Sequence, residues 1–290
     1  MSTRRIAMAA LSGMLISALT AAPAGAAGPK SPSPFAEPPL TAEQLAASDR
    51  KVAAAEAYLA TVASQGDQLM SLQCVTPVGG TVQAVPQACY TPPPQGYLPV
   101  EARDQTFSHY CGPAVGQVIA NYTWAMGPGV NKYTQGRIAG WMGTDTYGGT
   151  SSQNLANGLE TATRGAPRRP DIWQWVVSPL TDSDRDGHTG DELQGFVRAN
   201  VSGSKMPLAF SLKPHDPNSR YYLSSWPRPV VSVGHWISIY GWYSNYTGTE
   251  TARIYYTDSS RDEGGGTGKY WDPTLHIAAM IGEHTRVFVW

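Results

Sequence analysis

The clearest periodic pattern of hydrophobic and polar positions lies near the N-terminus. From Leu45 to Val62, alanine, leucine, valine and tyrosine recur at helical spacing, which predicts one amphipathic helix. Thr41 and Gln44 form a capping box that would start this helix. Its apolar stripe is predicted to consist of Leu45, Val52, Ala55, Leu59 and Val62. We expect a helix that packs on the protein or tethers it; an inhibitory pro-segment and a partner-binding arm are the alternatives.

Beyond the proline-rich connector at residues 92–94, helical and strand patterns both occur. Three segments have helical spacing: Gly112–Met126, Ser151–Ala162 and Gly190–Val201. Four later segments read as strands: Pro207–Ser211, His235–Gly241, Arg253–Thr257 and Arg286–Trp290. Because the helices come first and antiparallel-type strands follow, separated by turn residues, the predicted fold class is α+β.

The first residues have the pattern of a secretory signal peptide. Arg4 and Arg5 precede an apolar run of 14 residues, and Ala24-Gly25-Ala26 supplies a cleavage site. This run is shorter than the about 18–20 apolar residues that span a bilayer. The sequence therefore predicts a signal peptide over residues 1–26, a Pro/Ser/Ala-rich linker over residues 27–40, and a secreted, extracellular protein without stable membrane insertion.

The three cysteines of the chain are predicted to divide into a pair and a free thiol. Cys74 and Cys89 flank the hairpin signal Gly79-Gly80, and in an oxidising compartment such a pair favours a disulfide. This disulfide would stabilise the fold by roughly 3 kcal/mol. It would leave Cys111 unpaired, although three cysteines also permit other pairings.

Cys111 is the candidate nucleophile. It stands immediately before a predicted helix, and a helix N-terminus favours the thiolate form of a cysteine. A buried, inert cysteine is the alternative. His235, at the start of a predicted strand, is the candidate base. Asp258 ends the next strand and would orient the histidine ring; Asp272 is the competing candidate, and either aspartate could serve only as a turn cap.

The arrangement of these residues resembles the papain-fold cysteine peptidases. The order Cys–His–Asp, with Gln105 six residues before the helix start Cys111-Gly112-Pro113-Ala114, is similar to the branch related to bacteriocin-processing, double-glycine leader peptidases. The resemblance covers about residues 100–290, preceded by a segment 41–99 with the N-terminal helix and the disulfide hairpin. It implies a papain-like fold, in which an N-terminal helical part with the nucleophile helix packs on an antiparallel sheet.

The resemblance also implies the roles of the site residues. Gln105 would donate its side-chain amide to the oxyanion hole, Cys111 would attack, His235 would transfer the proton, and Asp258 would orient the ring. The chain departs from the family where Asp258 is followed by serine instead of proline, which keeps Asp272 as a candidate. It also lacks the membrane and ATP-binding domains of the transporter-linked enzymes, so cleavage of double-glycine leaders does not follow.

The predicted function is that of a secreted cysteine peptidase, which hydrolyses peptide or amide bonds in peptide or protein substrates through an acyl-enzyme. A transglutaminase-type acyltransferase and an amidase acting on cell-wall peptides are alternatives with the same triad. A secreted binding module with a merely structural Cys111 is the alternative without catalysis. The oligomeric state is left open.

Composition and charge exclude several other classes. With 21 basic and 22 acidic residues, the formal net charge is −1, and no basic stripe indicates nucleic-acid binding. Three cysteines build no zinc or haem motif, and the mechanism requires no cofactor. A weak calcium-loop pattern lacks the closing glutamate, so a solvated turn is its alternative; it consists of Asp182, Asp184 and Asp186. Five tryptophans could line a substrate groove or pack in the core: Trp141, Trp173, Trp175, Trp226 and Trp236.

Overall fold

Helices and one antiparallel sheet make up the fold. The computed structural model describes residues 37–73, 95–181, 189–229, 234–244, 252–260 and 265–290. The helices are α1 (Ala42–Gln73), α2 (Cys111–Thr123), α3 (Gln135–Met142), α4 (Ser152–Thr163), α5 (Thr189–Arg198) and α6 (Thr274–Gly282), and a π-helical turn, Ala199–Ser204, follows α5. The strands are β1 (Gln95–Tyr97), β2 (Val177–Pro179), β3 (Leu208–Leu212), β4 (His235–Tyr243), β5 (Arg253–Asp258), β6 (Gly268–Pro273) and β7 (Val287–Val289). The predicted α+β class is confirmed.

The sheet places β4 at its centre. The strand order is β2-β7-β3-β4-β5-β6, and every pairing is antiparallel. β3 pairs with residues 235–239 of β4, and β1 pairs with residues 241–243. At its start, His235 of β4 is therefore paired with Leu212 of β3, and β5 joins β4 on the other side from Ser238 onward.

Apolar side chains form two cores, one on each face of the sheet. Alternate residues of a strand point to opposite faces. Phe210, Ile237 and Phe288 belong to the core that includes residues of α1, α5 and α6. Ala209 and Trp236 belong to the core with α2, α3 and α4. Burial of one large apolar side chain stabilises the fold by about 1.5–3 kcal/mol, so both faces contribute to the rigidity of β4.

The capping box that was predicted for α1 is confirmed. The Thr41 backbone N–H donates to Gln44 Oε1 at 2.6 Å, and the Gln44 N–H donates to Thr41 Oγ1 at 3.3 Å. The helix continues eleven residues beyond its predicted end at Val62, to Gln73. Two hydrogen bonds from backbone N–H groups to side-chain oxygens thus start the helix where the sequence predicts it.

α1 packs on the protein, as expected. It contacts β2, α5 and the π-helical turn. Ala55 is buried and Val52 half-buried, but Leu45 is 41 % exposed, so its assignment to the apolar stripe is wrong. The inward face passes through Ser48 instead, whose hydroxyl donates to Ser178 Oγ of β2 at 2.8 Å. A polar contact to the sheet therefore sets the rotation of the helix at this end.

Several elements were absent from the sequence predictions. They are α3, α6, β1, β2 and β6. The helix α6 is mostly apolar and mostly buried, so it lacks the polar face that marks an amphipathic helix. β1 and β2 have three residues each, too few for a strand period. The helix predicted over 190–201 ends at Arg198 and passes into the π-helical turn.

Some predictions lie outside the described residues. These are the signal peptide 1–26, the linker 27–40 up to residue 36, the Cys74–Cys89 disulfide hairpin, and the calcium loop with Asp182, Asp184 and Asp186. Residues Pro34–Trp290 form one compact unit, to which α1 belongs together with the 100–290 segment. Among the helices that the structure describes, none has the length and apolar character needed to cross a membrane.

Candidate active site

Cys111 is the first residue of α2 and is held in a rigid setting. All thirteen residues of this helix are buried, and Cys111 itself is 9 % exposed. Tyr110 at the N-cap provides no side-chain cap, and the first helical hydrogen bond runs from the Ala114 N–H to the Tyr110 carbonyl at 2.8 Å. The backbone N–H groups at the start of α2 therefore lie beside the thiol without a capping side chain.

Gly112 allows close packing behind the thiol. A Cβ at this position would lie 2.5 Å from Thr150 Oγ1, in the segment that leads into α4. Any side chain here would force Cys111 and this segment apart.

The ring of His235 contacts both other members of the predicted triad. Its Nε2 lies 2.9 Å from Asp258 Oδ1, and the side chain of Cys111 is close enough to the same ring to raise its pKa. Since Nε2 faces the aspartate, Nδ1 is the nitrogen left for the thiol. His235 is 3 % exposed and Asp258 1 % exposed, so these contacts are shielded from water.

The register of the sheet explains why Asp258 reaches this ring. Ser238 of β4 pairs with Thr257 of β5. If this register continues, Asp258 is the diagonal neighbour of His235 on the same face, a distance that two polar side chains can bridge. The start of one strand and the end of the next thus supply the two side chains.

Electrostatic interactions favour a charged His235–Asp258 pair. Burial alone would lower the pKa of His235, but the charge of Asp258 and hydrogen bonds to Asp258 and Cys111 raise it to about 10. Burial would raise the pKa of Asp258, but His235 and hydrogen bonds from Ser260 and Ser225 hold it below its usual range. A protonated ring beside a carboxylate is the state that stabilises a neighbouring thiolate.

Three further donors hold the Asp258 carboxylate. Ser225 Oγ donates to Oδ2 at 2.7 Å, the Trp226 indole N–H donates to Oδ2 at 2.9 Å, and the Ser260 N–H donates to Oδ1 at 2.9 Å. The Trp226 ring also lies 5.1 Å from the His235 ring, centroid to centroid. Sequence reasoning missed Ser225 altogether and treated Trp226 only as a groove or core residue, because the segment before residue 230 has no periodic pattern.

Asp272, the competing candidate, has other partners. Its Oδ2 accepts hydrogen bonds from the Ser224 N–H at 2.9 Å, from Ser224 Oγ at 3.3 Å and from the Tyr256 hydroxyl at 2.7 Å. Burial raises the pKa of this carboxyl. The structure thus brings Asp258, and not Asp272, to the His235 ring.

Gln105 lies in the loop before Cys111, with its side chain turned toward its own loop. Its Nε2 donates to the Ser108 carbonyl oxygen at 3.0 Å, and its backbone N–H donates to the Ser259 carbonyl oxygen at 2.9 Å. The second contact ties the loop to the residue after Asp258. The amide that the resemblance assigns to the oxyanion hole is therefore near the triad in the fold, but is occupied by Ser108.

Gln135 anchors the same loop and was not singled out by the sequence. Its Oε1 accepts from the Thr106 N–H at 2.9 Å, and its Nε2 donates to the Asp104 carbonyl oxygen at 2.7 Å. These bonds clamp the residues on either side of Gln105. Gln135 opens α3, which the sequence analysis missed, so no pattern pointed to it.

A cavity of about 90 Å³ adjoins the thiol. Its lining includes Cys111, Trp236, His284 and, from the N-terminal segment, Glu37. The Trp236 indole N–H donates to the Thr150 carbonyl oxygen at 2.9 Å and so holds one wall against β4. Burial lowers the pKa of His284 to about 4, so this ring is neutral at physiological pH.

The five tryptophans do not form a substrate groove. Trp173, Trp175, Trp226 and Trp236 are buried, and Trp141 is half-buried. Of the five, Trp236 lines the cavity beside Cys111. Packing in the core, which the sequence offered as the alternative to a groove, therefore describes most of these tryptophans.

Comparisons with known proteins provide no family for this chain. No protein-family model matches it, and a search of curated proteins finds no match. In the part of the chain that the structure describes, no group of three His, Cys, Asp or Glu side chains is arranged to hold a metal ion. The site itself consists of the Cys111 thiol, the His235 ring beside it, and the buried Asp258 carboxylate that contacts this ring.

Proposed function

We propose that this protein is an exported, papain-like cysteine hydrolase that cleaves peptide or amide bonds. The observation that carries the proposal is the position of the His235 ring, which contacts Cys111 on one side and Asp258 on the other. A nucleophile, a base and an orienting carboxylate in this order are the parts that covalent acyl transfer requires.

In the first half of the reaction, Cys111 Sγ attacks the carbonyl carbon of the substrate. The electron pair of the carbonyl moves to its oxygen, and the resulting oxyanion accepts a hydrogen bond from the Cys111 backbone N–H. His235 then gives a proton from Nδ1 to the leaving nitrogen. The C–N bond breaks, the amine departs, and a thioester to Cys111 remains.

In the second half, His235 removes a proton from a water molecule as the water attacks the thioester carbonyl. The C–S bond breaks, the carboxylic acid product leaves, and the ring keeps the proton taken from water, which restores the thiolate beside a protonated His235. Asp258 keeps the ring oriented and stabilises its charged form in both halves. Gln105 assists when its Nε2 gives up its hydrogen bond to the Ser108 carbonyl oxygen and donates to the substrate oxyanion instead.

The test uses the secreted chain, a peptide library and mass spectrometry, with and without an added primary amine. We expect shortened peptides, a mass adduct on Cys111 in quenched samples, and neither of these with Cys111→Ser. Amine-capped products in place of cleaved ones would favour the acyltransferase alternative, and muropeptides cleaved in preference to linear peptides would favour the cell-wall amidase. Peptides that bind without turnover or adduct would contradict the proposal and favour the binding module.

A further inference from the structure

Two hydroxyl groups join the aspartates that competed for the third place in the triad. Ser225 Oγ, which donates to Asp258 Oδ2 at 2.7 Å, lies 3.2 Å from the Tyr256 hydroxyl. The Tyr256 hydroxyl lies in turn 2.7 Å from Asp272 Oδ2. Tyr256 is 0 % exposed and Ser225 3 % exposed, so these contacts are shielded from water. The carboxylate that holds His235 is therefore connected to a second buried carboxyl.

The protons along this chain depend on the charge of Asp272. A hydroxyl has one proton to donate, and an ionised carboxylate only accepts. When both carboxyls are ionised, each hydroxyl gives its proton to the carboxylate 2.7 Å away. No proton then lies between the Ser225 and Tyr256 oxygens. A proton on Asp272 Oδ2 reverses one step, because the acid donates to Tyr256 Oη and the Tyr256 proton turns to Ser225 Oγ. The neutral form of Asp272 thus completes the chain.

Ser224 offers only a weaker substitute for the Tyr256 proton. Its hydroxyl lies 3.3 Å from Tyr256 Oη, from the Trp271 carbonyl oxygen and from Asp272 Oδ2. It has one proton for these three acceptors. Since Tyr256 Oη is closer to Asp272 Oδ2, an ionised Asp272 retains the Tyr256 proton.

The surroundings of Asp272 favour its neutral form. The residue is 7 % exposed, and burial raises the pKa of its carboxyl against the hydrogen bonds from Ser224 and Tyr256. A charge on His276 lowers this pKa, but burial also lowers the pKa of His276. Among the described residues, no cation forms an ion pair with Asp272. The ionisable groups that share a cavity with Asp272 or lie near it on the paired strand are Arg220, Tyr222, Arg253, Tyr256, Lys269, Tyr270 and His276.

We propose that Ser225 and Tyr256 are positioning residues of the active site and that the charge state of Asp272 controls them. With Asp272 neutral, Tyr256 donates to Ser225, and this bond strengthens and orients the donation of Ser225 to Asp258. When Asp272 ionises, the Tyr256 proton turns away and the support is lost. The inference rests on the proposed function, which it deepens by naming a regulator of the triad.

Two tyrosine variants test the link by kinetics. Tyr256→Phe removes the connecting hydroxyl and should lower kcat for peptide cleavage about three- to tenfold, the size of one lost hydrogen bond. Tyr122→Phe is the matched control: this tyrosine is 7 % exposed, and its hydroxyl donates to the Lys205 carbonyl oxygen at 2.8 Å. Chemical denaturation should show a loss of stability in both variants, but only Tyr256→Phe should lower kcat. Equal effects on kcat would overturn the proposal.

The pH profile of kcat separates positioning from a structural role. In wild type, kcat should fall about threefold as Asp272 ionises. This step should be absent from Tyr256→Phe and from Asp272→Asn, whose side chain stays uncharged. Ser225→Thr keeps a hydroxyl and should retain the step, whereas Ser225→Ala should lose it. A step that persists in Tyr256→Phe and Asp272→Asn would contradict control by Asp272.

The titration of the His235 ring, followed by NMR and assigned with His235→Gln, keeps the test independent of turnover. A weaker donor leaves more charge on Asp258, so Tyr256→Phe should raise the pKa of His235 by about 0.5, the equivalent of a threefold change. Tyr122→Phe should leave it unchanged. An unchanged pKa in both variants would overturn the link. Failure of the proposed function looks different: the pKa rises in Tyr256→Phe, but wild type forms no adduct on Cys111 and cleaves no peptide.

Discussion

Nε2 of His235 lies 2.9 Å from Oδ1 of Asp258, and the other ring nitrogen is left for Cys111. The three side chains come from the start of β4, the end of β5 and the N-terminus of α2. Each lies at the end of an element whose interior is buried, so the geometry is set by packing and not by flexible loops.

The two candidate aspartates are expected to separate by activity. Asp258→Asn keeps the size of the side chain but removes the charge beside His235, and peptide cleavage should fall about 10²- to 10⁴-fold. Asp272→Asn weakens the hydrogen bonds from Ser224 and Tyr256 and should lower the free energy of unfolding by about 1–3 kcal/mol, with activity within a few-fold of wild type. Kinetics and chemical denaturation of both variants measure these effects. The opposite ranking of activities would assign the role to Asp272.

Trp226 is expected to act as a positioning residue. Trp226→Phe removes the indole donor to Asp258 Oδ2 and should lower kcat by about tenfold or more, since a hydrogen bond to a charged group is lost. Trp242→Phe is the matched control: this buried indole donates to Ser202 Oγ at 2.8 Å. Both variants should lose stability, but only Trp226→Phe should also alter the pH profile of kcat. Equal effects of the two on kcat and on the profile would show a merely structural role for Trp226.

The His235–Asp258 pair is expected to make stability depend on pH in a defined direction. Despite burial, Asp258 raises the folded-state pKa of His235 to about 10, whereas an unfolded histidine titrates near about 6.5. The folded protein therefore holds this proton more tightly than the unfolded chain does. The resulting stabilisation is fully present below about pH 6.5 and is lost as the pH rises through about 10.

The lowered pKa of Asp258 acts at the other end of the scale. The stabilisation from Asp258 is present above the unfolded-state pKa of about 3.9. It is lost as the pH falls through the lower folded-state pKa of this carboxyl. Chemical denaturation of wild type and His235→Gln across this range isolates the pair from other titrating groups. We expect the advantage of wild type to shrink from about pH 6.5 toward 10. An advantage that grows over this interval would contradict the assigned pair.

Gln105 is expected to matter for acyl transfer but not for alkylation. In the structure its amide donates to Ser108, and in the proposed reaction it donates to the oxyanion. Gln105→Ala should lower kcat for peptide cleavage by about 10- to 10³-fold. The rate of Cys111 alkylation by iodoacetamide should stay within about twofold, because that reaction forms no oxyanion. If both rates fall together, Gln105 acts by supporting the loop and not by stabilising the transition state.

Local signals predicted the elements that carry the triad. Helical spacing after Cys111 and alternation after His235 marked α2 and β4, and turn residues after Asp258 marked the end of β5. Asp258 and Asp272 could not be separated in this way, because each lies at the end of a strand. The choice depends on the pairing of β5 with β4 on one side and with β6 on the other, which is a tertiary property.

The residues that support the site are identified only by the structure. Ser225 and Trp226 lie in an irregular segment, and Gln135 opens a short helix without a marked apolar face. Glu37 lies in a stretch that the sequence indicates only as a linker. Their positions follow from contacts between segments far apart in the chain, which no periodic pattern encodes.

Competitive alkylation of Cys111 tests the central claim most directly. Native protein and urea-unfolded protein are treated with iodoacetamide about two pH units below the ordinary thiol pKa of about 8.5, and the three cysteines are followed by peptide mapping. We predict that Cys111 reacts faster in the native protein than in the unfolded chain, and that His235→Ala removes this advantage. A native Cys111 that reacts more slowly than in the unfolded chain, or that is found in a disulfide with Cys74 or Cys89, would contradict its assignment as the nucleophile.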